Sequence, residues 1–181
     1  MSIKSFGDKA ALKGEVYIGI DQSYTGFGTT IMDKKGNFYT EVYKAEGDGI
    51  EKLCNIRNYL EDLLSEYEVA KIAMEGYAFG SQMSHMLGEL GGMIKLLIFD
   101  LYPGNDQVRF PIIVPPPSLK KYIAGKATKV SKSQVLLQVY KKWGVEFNDD
   151  NAADSYGLAR IARNKHDFEY EKEVYDKLAT K

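Results

Sequence analysis

At 181 residues, with 44% apolar and 27% charged side chains, the chain is long enough for one well-buried domain, too short for two, and too hydrophobic for extended disorder. The opening has no apolar core of signal-peptide length and MIKLLIFDLY is broken by Lys95 and Asp100, so no membrane segment and a cytoplasmic location are expected. The single cysteine, Cys54, excludes an intrachain disulfide and a CxxC-type metal site, and is expected to be a buried small hydrophobe.

The run Val16 to Ile20 is β-branched and aromatic with no helical period, so it predicts a central strand with Asp21 at its C-terminal end. Gly28 to Met32 and Phe38 to Lys44 predict two more strands, joined as a hairpin through Asp33-Lys34-Lys35-Gly36-Asn37. From Ile50 the apolar residues Leu53, Cys54, Leu60, Leu63, Leu64 and Tyr67 recur mostly three and four apart, the stripe of an amphipathic helix. Val69 to Met74 predicts a fourth strand ending at Glu75. Ser81 to about Tyr102 predicts a long helix, weakened by Gly88, Gly91 and Gly92 unless a neighbour comes close.

Val108 to Val114 predicts a fifth strand, stopped by Pro115-Pro116-Pro117, and Ser118 is a candidate cap for the helical turn that follows. Ser133 to Lys142 predicts a helix with Val135, Leu136 and Val139 inward, and Asp149 or Asp150 opens a last helix to about Arg163. The expected architecture is α/β, a mixed five-stranded sheet with helices on both faces, spanning residues 1–165, with a loose charged tail over 166–181. Met83, Met86 and Met93 fit core packing, and Trp143 is expected to anchor the last two helices.

Net charge is −1, which offers no general attraction to nucleic acid, but the distribution is uneven. Arg109, Lys120, Lys121, Lys126, Lys129, Lys132, Lys141 and Lys142 fall in a stretch with no Asp or Glu, whereas 41–75 is predominantly acidic. Asp21 and Glu75 each follow an apolar strand directly, where open α/β sheets put their ligands. A strand-ending Asp often only starts a turn, but Glu is a poor turn residue. In DDNAADSYGLARIA, Asp150 and Asp154 share a helix face with Asn151 beside it, and like charges at that spacing repel unless a cation or a helix N-terminus compensates. Capping by Asp149 or Asp150 is the alternative use of those residues. Three carboxylates from separate elements are what hard-cation chemistry on phosphate requires, with two Mg2+ ions about 4 Å apart and a basic sector for the phosphates. His85 and His166 have nothing nearby to complete a triad or zinc set, and are read as non-catalytic.

Four segments taken together, IGIDQSYTGFG from Ile18, AMEGYAFG from Ala73, PSLKKYIAGKATKVSKSQV from Pro117 and NAADSYGLARIA from Asn151, resemble the RuvC family of Holliday junction resolvases. That resemblance implies a ribonuclease H-like fold and a homodimeric, Mg2+-dependent endonuclease, with Mn2+ as a substitute, that nicks opposed strands of a four-way junction. It implies metal ligation by Asp21, Glu75 and Asp154, and a catalytic lysine at Lys132. Lys120, Lys121, Lys126, Lys129 and Lys132 would contact DNA, with Tyr77 or Phe79 stacking on a base near the junction centre. Departures leave positions open. Asn151 stands where the family commonly has Asp, so the fourth ligand is Asp150 or Asn151. The loop 125–132 is one residue longer, so Lys129 competes with Lys132. The compact chain looks like a phage-type member, with branched DNA more broadly as substrate. Two other readings remain open: a junction-binding protein impaired in cutting, and a lobe similar to actin-like ATPases and sugar kinases. The second would need a partner lobe that a single domain of this length lacks.

Overall fold

A computed structural model describes residues 2–76 and 84–179. Its strands are β1 (Ser2–Gly7), β2 (Val16–Asp21), β3 (Phe27–Asp33), β4 (Phe38–Lys44), β5 (Val69–Glu75) and β6 (Ile112–Val114). Its helices are α1 (Gly49–Ser65), α2 (Ser84–Leu101), α3 (Asp106–Arg109), α4 (Pro116–Ala124), α5 (Lys132–Trp143), α6 (Asp150–Arg163) and α7 (Glu169–Ala179). The strand order is β1-β4-β3-β2-β5-β6, with β2, β5 and β6 mutually parallel and the remaining pairs antiparallel. The β2–β4 meander closes as expected. The Asp33 carboxylate accepts bonds from the backbone N–H groups of Lys35, Gly36 and Asn37 at 2.9, 2.8 and 3.0 Å and from Asn37 Nδ2 at 2.8 Å, which fixes the β3–β4 turn.

Side-chain alternation along β2 sorts the two faces of the sheet. Val16, Ile18 and Ile20 join Ile56, Leu60 and Leu64 of α1 and Leu90, Ile94 and Ile98 of α2 in one core cluster. On the opposite face a second cluster gathers Leu119 and Ile123 of α4, Val135 and Val139 of α5, and most of buried α6. Helix α6 lies directly on the sheet because the sheet offers it no side chain at Gly19: a Cβ there would stand 2.0 Å from Ser155 O and 2.3 Å from Ala159 N. The buried Ser155 hydroxyl hydrogen-bonds Thr30 Oγ1 at 2.9 Å, locking the helix in register. No helix among the described residues is long and apolar enough to cross a membrane.

Several expectations need correction. Among the described residues the sheet has six strands rather than five, because the N-terminal segment adds β1 to the edge through β4, Ile3 facing Tyr43 and Phe6 facing Thr40. Its side chains are nearly all exposed, so backbone pairing holds it and it leaves no apolar pattern to read. The fifth predicted strand is mostly not strand. Val108 and Arg109 lie in α3, and only Ile112–Val114 pairs with β5, since Pro111 has no N–H to donate. Ser118 is inside α4 rather than capping it. Pro116 and Pro117 occupy the first positions, where a missing N–H costs nothing, and Pro115 O accepts from Ser118 N at 2.8 Å. Cys54 is exposed, because it sits about 200° around α1 from the buried Ile56.

The C-terminal segment is not loose. Helix α7 buries Glu171 and Val174. Lys142 Nζ pairs with Glu171 Oε1 at 2.5 Å and donates to Tyr122 O and Ile123 O at 2.9 and 3.1 Å, tying α7, α5 and the end of α4 at one point. The Trp143, Phe168 and Tyr170 rings surround the same ammonium at 4.3, 5.0 and 4.9 Å. Trp143 also packs on Tyr156 of α6, as an anchor should.

Candidate active site

Period-two alternation puts Asp21 on the side of Gly19, and Glu75 on the side of Ala73, so both carboxylates leave adjacent parallel strands toward α6. Gly28 pairs with Asp21 across the β2–β3 ladder, and a Cβ there would lie 2.5 Å from Asn151 O. The first turn of α6 can therefore descend onto the strand end. Asp149 caps that helix, its Oδ1 accepting from Asn151 N at 3.0 Å. Asp150 and Asp154, one turn apart, face the strand ends.

The result is one cleft of about 380 Å³, lined by Asp21, Glu75, Asp150, Asn151 and Asp154 with Lys120 and Lys132 on its basic side. Lys132 is the first residue of α5, whose N-terminus carries a capping box between Ser131 and Gln134 that the sequence motif SKSQ already announces. A cation at a helix N-terminus is unfavourable alone, and Lys132 is compensated by an ion pair with Asp150.

Electrostatics mark the carboxylates as a strained group. Burial first, then the charges of Glu75 and Asp154, push Asp21 well above the usual carboxylate range. Burial raises Glu75 to about 7 although the bond from Asp21 and the charge of Lys120 oppose it. Asp154 also rises to about 7, by burial and then repulsion from Glu75 and Asp150, against the pull of Lys120 and Lys132. Asp150 is paired with Lys132. Among the described residues no group of three or more His, Cys, Asp or Glu side chains stands in ligand-cage spacing. The chemistry of the donor set nevertheless fits a hard divalent cation: oxygen donors from three elements, enclosed and mutually repelling, with Lys120 and Lys132 the cations that line the cleft among the described residues.

Of the other expected residues, Lys126 and Lys129 are exposed on the α4–α5 loop and do not line the cleft; Lys129 has φ of 57° there. Lys121 turns away to pair with Glu173 of α7 at 3.0 Å. Tyr77 and Phe79 lie outside the described residues. His85 is exposed, and His166 hydrogen-bonds Tyr122 and Asn164 away from the cleft. Sequence reasoning missed Gln22, Tyr24 and Pro116, which also line the cleft. Gln22 follows Asp21 directly, but the role of an uncharged amide in a strand-end turn leaves no sequence signal.

No family model matches the chain. It is 27% identical over 155 residues to the crossover junction endodeoxyribonuclease RuvC of Petrotoga mobilis, an alignment covering 80% of this chain and 90% of that protein. Among solved structures it is similar to Thermus thermophilus RuvC, with a TM-score of 0.62 and 19% identity over 91% of this chain and 97% of that one. The same RuvC in complex with a Holliday junction substrate superposes at a TM-score of 0.66 with 18% identity, covering 91% and 96% of the two chains. The yeast mitochondrial Holliday junction resolvase Ydc2 follows at 0.58 with 15% identity, covering 93% and 84%. The structural matches establish the RuvC-type, ribonuclease H-like fold. Together with the sequence match and the four motifs they show this chain to be similar, in sequence and in fold, to the RuvC Holliday junction resolvases.

Proposed function

We propose that the protein is a Mg2+-dependent endonuclease that nicks Holliday junctions and other branched DNA, Mn2+ serving as a substitute. The observation that carries this reading is the convergence of Asp21, Glu75 and Asp154, from β2, β5 and α6, in one cleft beside Lys120 and Lys132. These three carboxylates would hold the metal, with Asp150 or Asn151 as the fourth ligand. When bound, a metal pair supplies an activated water and stabilises the leaving 3′ oxygen. Lys120 neutralises phosphate charge at the cleft wall. Lys132, 82% exposed along its side chain although paired with Asp150, is free to exchange that partner for a phosphate oxygen.

Branched DNA as the partner is supported by the relative solved with a Holliday junction substrate. We propose a homodimer, which would allow two opposed cuts. The exposed apolar side chains Leu96, Phe99, Phe110 and Ile113, gathered where α2 meets the β6 edge, supply a surface for a second copy. The deciding experiment is a cleavage panel of four-way, three-way, forked and linear duplex DNA with the full chain and Mg2+, beside its mass in solution. Nicks confined to branched substrates are expected; equal cutting of linear duplex would refute the selectivity. The neutral Asn151 and the Lys132–Asp150 pair favour a second reading, a junction-binding protein that does not cut. Binding without nicks in both Mg2+ and Mn2+ would establish that one.

A further inference from the structure

The β2–β5 ladder ends at Ile20 and Met74, one residue short of the two carboxylates. Beyond it, Asp21 is held to Gly28 of β3 and Glu75 to Val114 of β6, so the ladders tie the two strand ends outward, away from each other. One neutral tie crosses the gap. Gln22 Nε2 donates to the backbone oxygen of Glu75 at 2.7 Å. Gln22 is only 4% exposed. Because a carbonyl accepts and cannot donate, this bond fixes which way the amide is turned. The other end of the amide, Oε1, is buried without a hydrogen-bond partner among the described residues, and lies against Gly91 of α2. A Cβ on Gly91 would stand 2.6 Å from that oxygen. An unpaired buried acceptor is destabilising, so the amide carries a penalty that an apolar side chain would avoid.

We infer that Gln22 is a positioning residue for the carboxylate pair: its side chain sets the gap between the strand ends bearing Asp21 and Glu75, and Gly91 keeps open the space that the amide needs. The idea rests on the metal-site reading above. Two ionised carboxylates on neighbouring strands repel, and nothing in either ladder resists their splaying. The Gln22 bond does, and it is made by an uncharged amide to a backbone oxygen, so it does not depend on the charge of either carboxylate. It also accounts for one of the glycines that weaken α2.

The test is calorimetric titration of the full chain with Ca2+, a probe of oxygen-ligand sites that needs no turnover, on the parent, Gln22→Met, Gly91→Ala and the double variant. The parent should bind saturably, and Gln22→Met should weaken Ca2+ binding about tenfold, as removing support behind a ligand does. Gly91→Ala should weaken it in the same direction by pushing the amide off Glu75 O, and it serves alone if Gln22→Met does not fold. The double variant should be no weaker than Gln22→Met, because both changes act through one bond. Junction binding without metal should be unchanged in all, which a general loss of structure would not leave. Ca2+ affinity of both single variants within about twofold of the parent, or losses that multiply in the double variant, would overturn the role of Gln22. No saturable binding by the parent would instead overturn the metal site itself, and the inference with it.

Discussion

Gly19→Ala tests the seating of α6 on β2, on which the whole site depends. The added Cβ would stand 2.0 Å from Ser155 O and 2.3 Å from Ala159 N, and both are backbone atoms, so no rotamer change absorbs the overlap. Non-bonded heavy atoms rest about 3.5 Å apart, so α6 must retreat from the strand by roughly 1–1.5 Å. Overpacking of this kind costs about 1–3 kcal/mol, and a chain of this size should then melt roughly 2–12 °C lower. Asp154 directly precedes Ser155, so the retreat carries its carboxylate away from Asp21 by a similar distance. A misplacement of about 1 Å in a reacting constellation costs about 100-fold in rate. The assay is single-turnover nicking of a labelled four-way junction at saturating protein, alongside a thermal melt and metal-free junction binding. Nicking should fall about 100-fold while binding persists, because the lysines proposed to contact DNA do not sit on α6. A Gly19→Ala protein that nicks at the parent rate and melts within about 1 °C of it would refute the argument.

Asp21→Asn, Glu75→Gln and Asp154→Asn should each abolish nicking and retain junction binding, read by gel shift and cleavage on one substrate; a fully active Glu75→Gln would remove the centre of the proposal. For the fourth ligand, Asp150→Ala should raise the Mg2+ concentration needed for half-maximal nicking more than Asn151→Ala does, since Asp150 is close enough to act on both Asp21 and Asp154. Asp33→Ala should destabilise the fold by about 2–3 kcal/mol at pH 7, since it removes an acceptor for several backbone N–H groups. Burial alone would raise the Asp33 carboxyl, but the bonds from Asn37, Gly36 and Lys35 outweigh it and hold it below the ordinary carboxylate range. Its contribution is therefore full above the unfolded pKa and is lost as pH falls through the lower folded value, so denaturant melts at pH 7 and pH 3 should show the parent–variant gap narrowing in acid. A gap unchanged at pH 3 would contradict that assignment. Lys142→Met should cost about 3–5 kcal/mol by stranding the buried Glu171. Adding Glu171→Leu should recover most of it in a double-mutant cycle, whereas purely additive losses would argue against a coupled pair.

Much of the molecule is written locally. The apolar run of β2, the turn at Asp33–Asn37, the stripe of α1 and the cap at Asp149 each follow from residue types within a few positions, because backbone geometry and local hydrogen bonds decide them. The strand-end placement of Asp21 and Glu75 follows in the same way. Other features depended on partners remote in sequence. β1 exists only because β4 offers it an edge. α7 is ordered because Lys142, some thirty residues earlier, brings a buried charge to Glu171. Cys54 is exposed because packing chose the Ile56 face of α1. The carboxylates show the division most clearly. Their identities and their strand and helix positions could be read from the chain. That Lys132 rather than Lys129 reaches their cleft, that Asp150 answers Lys132, and that Gln22 crosses from one strand end to the other were decided by the packing of α5, α6 and α2 on the sheet. Such contacts depend on distances between elements, and no periodicity within one element records them.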